Sequence, residues 1–130
     1  ATAFLMSKNL LKYADKYKTL NSDTKILSFL FFNLLELSIK YEEYQNSRIL
    51  LSATKKYFTE KTEFFEQTLS LFYDGMIKII DDSIIEGIEQ CNKSLNVFKT
   101  LGHEYFYTKY KEDLDNLLKK KLASNKEKNV

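Results

Sequence analysis

Across 130 residues there is no proline, and glycine occurs only at Gly75, Gly87 and Gly102. A sheet-rich fold of this length must turn tightly many times, and tight turns draw on glycine and proline. Helices therefore carry this chain. Its length allows one domain, since domains usually run to about 100–150 residues, and a chain of this size buries roughly two-thirds of its unfolded surface. With 44% hydrophobic and 29% charged residues, it has a globular composition.

Apolar residues recurring at i, i+3, i+4 and i+7 mark six amphipathic segments. The first carries Ala3, Ser7, Leu10, Leu11, Ala14 and Tyr17 on one face. Asn21-Ser22-Asp23 then offers an N-cap for a helix over 23–42. That helix is apolar on two sides, one stripe being Ile26, Leu30, Leu34, Leu37 and Tyr41, the other Leu27, Phe31 and Leu35. The third, over 46–59, follows an Asn46-Ser47 cap and presents Ile49, Leu50, Ala53, Tyr57 and Phe58. The fourth, over 62–80, uses Phe65, Leu69, Phe72, Met76, Ile79 and Ile80. Gly75 in its interior costs up to about 1 kcal/mol relative to alanine, the signature of a place where another backbone comes close. Asp81-Asp82-Ser83 caps a fifth helix over 83–100, which Gly102 ends in a left-handed turn. The sixth, over 103–121, has Phe106, Tyr110, Leu114, Leu117 and Leu118, and 123–130 is a frayed polar tail after a domain spanning 1–122.

Short links between consecutive helices force antiparallel neighbours. Shifting the chain by 40 residues superposes Phe32 on Phe72, Leu37 on Ile77, Ile39 on Ile79, Ser47 on Gly87 and Phe58 on Phe98. Two helices per unit with a period near 40 are the mark of an α-solenoid. Gly75, Gly87, Cys91 and Ser94 are the small residues that a tetratricopeptide (TPR) hairpin needs where its two helices cross closely. The fold expected is all-α: antiparallel helical hairpins stacked as a TPR-like α-solenoid of about six helices.

Several chemistries are excluded. Cys91 is the only cysteine and His103 the only histidine, which leaves no internal disulfide, zinc knuckle or His-based triad. Asp74, Asp81 and Asp82 lack calcium-loop spacing and read as cap and surface charges. No cofactor or metal site and no enzyme active site is expected. The apolar run from Ile26 to Leu35 is broken by Ser28 and Asn33 and falls short of the ~20 residues of a membrane span. Net charge is +2, from 20 basic and 18 acidic residues, and Arg48 is the lone arginine, so a nucleic-acid footprint is missing. Lys119, Lys120, Lys121, Lys126 and Lys128 suit the end of the last helix, where cations complement the dipole. The missing initiating Met and a helical pattern that begins almost at residue 1 read as a fragment of a longer protein.

The series Tyr13-Ala14-Asp15-Lys16-Tyr17, Phe31-Phe32-Asn33-Leu34-Leu35-Glu36, Phe72-Tyr73-Asp74-Gly75 and Phe98-Lys99-Thr100-Leu101-Gly102 resembles the C-terminal region of the Rgg/GadR/MutR transcriptional regulators of Gram-positive bacteria, relatives of PrgX and PlcR. The large tryptophan-like position and closing proline of a true TPR are missing. The resemblance implies a cytoplasmic regulatory domain that binds a short signalling peptide in a concave groove and holds a homodimer together. DNA would be contacted only through a separate helix-turn-helix domain, and no membrane is involved.

In hairpin solenoids the first helix of each unit lines the concave face, here the second and fourth segments. A carboxamide both donates and accepts, so it pairs with an extended peptide backbone without burying charge. Asn33 is the one carboxamide inside the most apolar helix, and it matches the backbone-clamping Asn that the PlcR-type resemblance implies. Tyr73 falls one repeat along from it, with Met76 on the same helix, and Glu36 and Lys40 lie one and two turns beyond Asn33. The peptide-binding set expected is thus Asn33, Glu36, Lys40, Tyr73 and Met76. Each has a plainer reading: Asn33 satisfied by a neighbouring helix, Glu36 and Lys40 a solvated i, i+4 pair, and the aromatics core. The alternative is a helical-repeat module that binds another folded protein and no small ligand.

Overall fold

The computed structural model describes residues 5, 6, 8, 9, 12, 24–57 and 64–128. Within them are five helices: α1 Thr24–Lys40, α2 Tyr44–Tyr57, α3 Phe64–Ile80, α4 Ile84–Thr100 and α5 Glu104–Lys128. The face expected on the first segment, the Asn21-Ser22-Asp23 cap and Phe58 lie outside the described residues, as do the side chains of Ile26 and Leu27. The chain divides into two compact units, Ala1–Ser70 and Leu71–Val130.

Three of the connections are one and the same turn. After α1, the Glu42 N–H donates to the Ile39 carbonyl at 3.1 Å and the Glu43 N–H to the Ser38 carbonyl at 2.8 Å. After α3, Asp82 donates to Ile79 and Ser83 to Lys78; after α4, Gly102 donates to Lys99 and His103 to Phe98. Each is a Schellman motif, in which the residue past the helix end turns left-handed and the next amide reaches back to the carbonyl three residues inside the cap. Glu42, Asp82 and Gly102 hold φ of 58°, 72° and 77°. Only the third uses the residue type that meets no steric penalty there, so Gly102 ends α4 as its sequence position implies.

In the first unit, α1 and α2 bury Phe31, Phe32, Leu34, Leu35, Ile39, Leu50, Leu51 and Ala53. Two small polar residues join the hairpin: the Ser38 hydroxyl donates to the Leu35 carbonyl at 2.8 Å and lies 2.6 Å from the Ser47 hydroxyl. Ser47 is therefore not the cap that Asn46-Ser47 suggested. The three-residue turn starts α2 at Tyr44, which puts Asn46 and Ser47 inside the helix, both buried.

In the second unit, the part of α3 from Leu71 onward pairs with α4, and α5 returns along α4. The expected close crossing is present. A Cβ built on Gly87 would sit 2.5 Å from the Gly75 carbonyl oxygen, and one on Gly75 would sit 2.9 Å from the Gly87 oxygen and 2.8 Å from Cys91 Sγ. Backbone lies against backbone here, which only glycine permits. Ser94 is buried along the same face. Ser83 occupies the N-cap position of α4, but its side chain makes no capping bond. Beyond the crossing, Tyr110 gathers an aromatic core, with ring centroids 5.3 Å from Phe72, 5.7 Å from Phe98 and 6.3 Å from Phe106. Helix α5 runs on to Lys128, past the Lys121 end that periodicity suggests. Leu122, Ala123, Lys126, Glu127 and Lys128 are mostly good helix formers with no glycine or proline among them to stop the rod.

Candidate ligand-binding face

Asn33, Glu36 and Lys40 stand at i, i+3 and i+7 on α1, a spacing that puts them on one side of the helix. Asn33 and Glu36 are half-buried and Lys40 is exposed. Leu30, Leu37 and Tyr41 surface on the same side, Tyr41 with 63% of its area open. Lys40 Nζ lies 5.8 Å from the Tyr41 ring centroid, a cation–π distance. The result is a strip of aliphatic and aromatic surface with one carboxamide near its middle and a cation at its end. Such a strip can cover apolar side chains while a carboxamide pairs with a peptide backbone.

Tyr73 and Met76 are placed differently. Each is only 2% exposed, in the second unit. The Tyr73 ring meets Phe72 edge-on at 5.5 Å and Tyr110 at 6.3 Å, so it is a core aromatic rather than a groove wall. From Phe72 to Ile80, α3 is buried at every position but Asp74 and Lys78, and apolar spacing alone does not say which of its sides stays open. The open side of α3 in this unit is marked by Leu71, 56% exposed, Asp74 and Lys78. Gln90 reaches over from α4: its Nε2 donates to Asp74 Oδ2 and to the Leu71 carbonyl, both at 2.8 Å, and its Oε1 accepts from Lys78 Nζ at 2.7 Å. Asp74 and Lys78 also form an i, i+4 pair at 3.7 Å. Sequence gives no sign of this brace, because nothing in the spacing of a lone glutamine tells it from any other surface residue.

The remaining singled-out residues take structural places. Cys91 is fully buried, donates toward the Phe72 carbonyl at 3.3 Å, and its thiol is pushed up to about 12 by burial and secondarily by the Asp74 carboxylate. A thiol so protonated is packing, not a nucleophile. Arg48 donates to Gln45 Oε1 at 3.3 Å on the same helix. His103 is exposed beside Phe106, at 5.9 Å between ring centroids. Among the described residues, no group of three or more His, Cys, Asp or Glu could hold a metal ion, and no helix is long and apolar enough to cross a membrane.

The profile of the C-terminal domain of the HTH-type transcriptional regulator Rgg matches residues 1–112. The chain belongs to the Rgg family. Rgg proteins are transcriptional regulators, a regulatory class and not an enzyme class. A crystal structure assigned as a transcriptional regulator of Listeria monocytogenes EGD-e is similar in fold, with a TM-score of 0.74 and 23% sequence identity, covering 85% of this chain. The likeness is one of fold and fits the all-α, TPR-like hairpins of this chain. The present chain spans 38% of that protein's length. No curated protein matches the chain.

Proposed function

We propose that this Rgg C-terminal domain is the effector-sensing part of a bacterial peptide-responsive regulator, binding a short hydrophobic signalling peptide and taking part in a homodimer. DNA contact would fall to a helix-turn-helix domain elsewhere in the whole protein, acting in the cytoplasm. The observation that carries the reading is the α1 strip, where Asn33 lies half-buried between the exposed Leu30, Leu37 and Tyr41. Apolar surface of this kind, flanked by a group able to pair with backbone, is what an extended peptide needs. Glu36 and Lys40 at its end would set the preferred charge of the ligand. Tyr73 and Met76 would act from the core, by holding α3 in place. Peptide would then favour one arrangement of the dimer over another and so bias DNA binding.

The test is calorimetry with short hydrophobic peptides encoded by the parent organism. Binding that falls at least about tenfold in Asn33→Ala, the loss of one or two buried hydrogen bonds, supports the assignment. No heat with any peptide, together with capture of a folded partner protein by the same strip, favours a repeat module without a small ligand. Ile85 and Tyr105, both largely exposed, are further surface available to such a partner.

A further inference from the structure

Helix α5 has 25 residues against 17 in α4, an excess of roughly 12 Å of rod. Running back along α4, it reaches the turn that joins α3 to α4. There Lys121 Nζ donates to the carbonyl of Ile80, the last residue of α3, at 2.9 Å and pairs with Asp82 Oδ1 at 2.8 Å. Both acceptors are negative for physical reasons: Ile80 presents one of the unsatisfied carbonyls at the C-terminal pole of a helix, and Asp82 is a carboxylate. The sequence places this lysine where it would complement its own helix's dipole. Instead it serves the end of another helix.

The two contacts differ in shelter. The Lys121 side chain is 16% exposed and that of Asp82 68%, so the carbonyl bond is the shielded arm and the ion pair the open one. Apolar burial along α5 falls away across the same point: Leu117 is buried, Leu118 half-buried and Leu122 mostly exposed. With so little apolar area beyond Leu117, a charged bond at Lys121 is a large share of what holds this stretch down.

We propose that Lys121 is a latch. Engaged, it holds the C-terminal part of α5 against the α3–α4 turn. Released, the helix from Leu117 onward opens as a local unit while the α3–α4 hairpin stays closed, uncovering Leu117 and Leu118. The Asp82 arm makes the latch sensitive to ionic strength, and the Ile80 arm sets how far salt alone can open it.

Amide hydrogen exchange on the intact protein tests this. Lys121→Met, which keeps the length and removes the cation, is expected to speed exchange at residues 117–125 about tenfold, the loss of a charged hydrogen bond, with α4 unchanged. Lys121→Arg retains the protection, and Asp82→Asn gives a smaller rise because the carbonyl bond persists. Raising salt to about 1 M moves the wild type toward the Lys121→Met behaviour and leaves that variant where it is. Unchanged exchange in Lys121→Met overturns the latch. So does an equal rise throughout residues 71–128, which would make Lys121 a contributor to global stability only.

Discussion

Where α1 meets α2, Ser47 faces Ser38 hydroxyl to hydroxyl at 2.6 Å; forty residues after Ser47 the chain places Gly87, against the Gly75 carbonyl. Leu51 and Thr54 in the first hairpin correspond in the same way to Cys91 and Ser94 in the second, and all four are buried. One repeat thus joins its helices through polar side chains and the other through bare backbone. The difference lies in what each tolerates. A hydroxyl pair contributes about 1 kcal/mol and can be lost one group at a time. A backbone contact has no side chain to move aside, so a single added carbon must shift a whole helix.

Substitutions at equivalent places turn this contrast into measurements. Gly87→Ala is expected to have the largest effect, destabilising by about 2 kcal/mol in denaturant titration: overpacking of about 1–3 kcal/mol against an intrinsic helix gain of up to about 1. A neutral result would mean that the crossing is looser than the 2.5 Å contact implies. Gly75→Ala should cost about 1 kcal/mol. Its Cβ meets a thiol as well as a carbonyl, so a double-mutant cycle with Cys91→Ala should return a coupling of about 0.5 kcal/mol or more. Ser47→Ala in the first hairpin should also cost about 1 kcal/mol, with Ser38→Ala adding less than its own single effect. Additive costs would show that the hydroxyls do not act as a pair. At the turns, Glu42→Gly should stabilise by up to about 1 kcal/mol through relief of left-handed strain, and Gly102→Ala should destabilise by a similar amount. Nothing lies within 4 Å of the Gly102 site, so its penalty is conformational rather than steric.

The smallest effect near neutral pH belongs to Cys91. Its folded thiol holds its proton to about pH 12, while an unfolded one loses it near 9. The unfolded chain therefore binds fewer protons between those values, and stability falls as pH rises from about 9 toward 12. Below 9 the curve is flat for this group. Cys91→Ser should shrink the alkaline fall and leave the part due to Tyr44, whose phenol is pushed up by burial and by the Glu42 carboxylate. A thiol reagent at pH 8 should react with Cys91 only after denaturation.

Much of the hairpin architecture was legible because its determinants are local. The missing proline, the polar clusters between apolar runs and the Gly75, Gly87, Cys91, Ser94 spacing each act within a helix or between consecutive ones. The Asn46-Ser47 cap misled because the same residue types that close a helix end also serve as small polar contacts inside one. A repeat shift places Tyr73 one unit along from Asn33, with Met76 on the same helix, because it carries sequence positions forward without saying which side of each helix is covered. From Phe72 to Ile80 helix α3 is charged only at Asp74 and Lys78, and that narrow side, which Gln90 spans, is the one left open. For Lys121 the charge logic of a helix C-terminus holds but the helix is α3, since the Ile80 carbonyl comes near it only after α5 has folded back.

The recurrence of one joint after Lys40, Ile80 and Thr100 has an evolutionary reading. When the elbows after Lys40 and Ile80, forty residues apart, have the same bond pattern, a duplication or deletion of a whole forty-residue block rejoins at an elbow that already works. Descendants of such a gene can change their number of blocks without inventing a new corner.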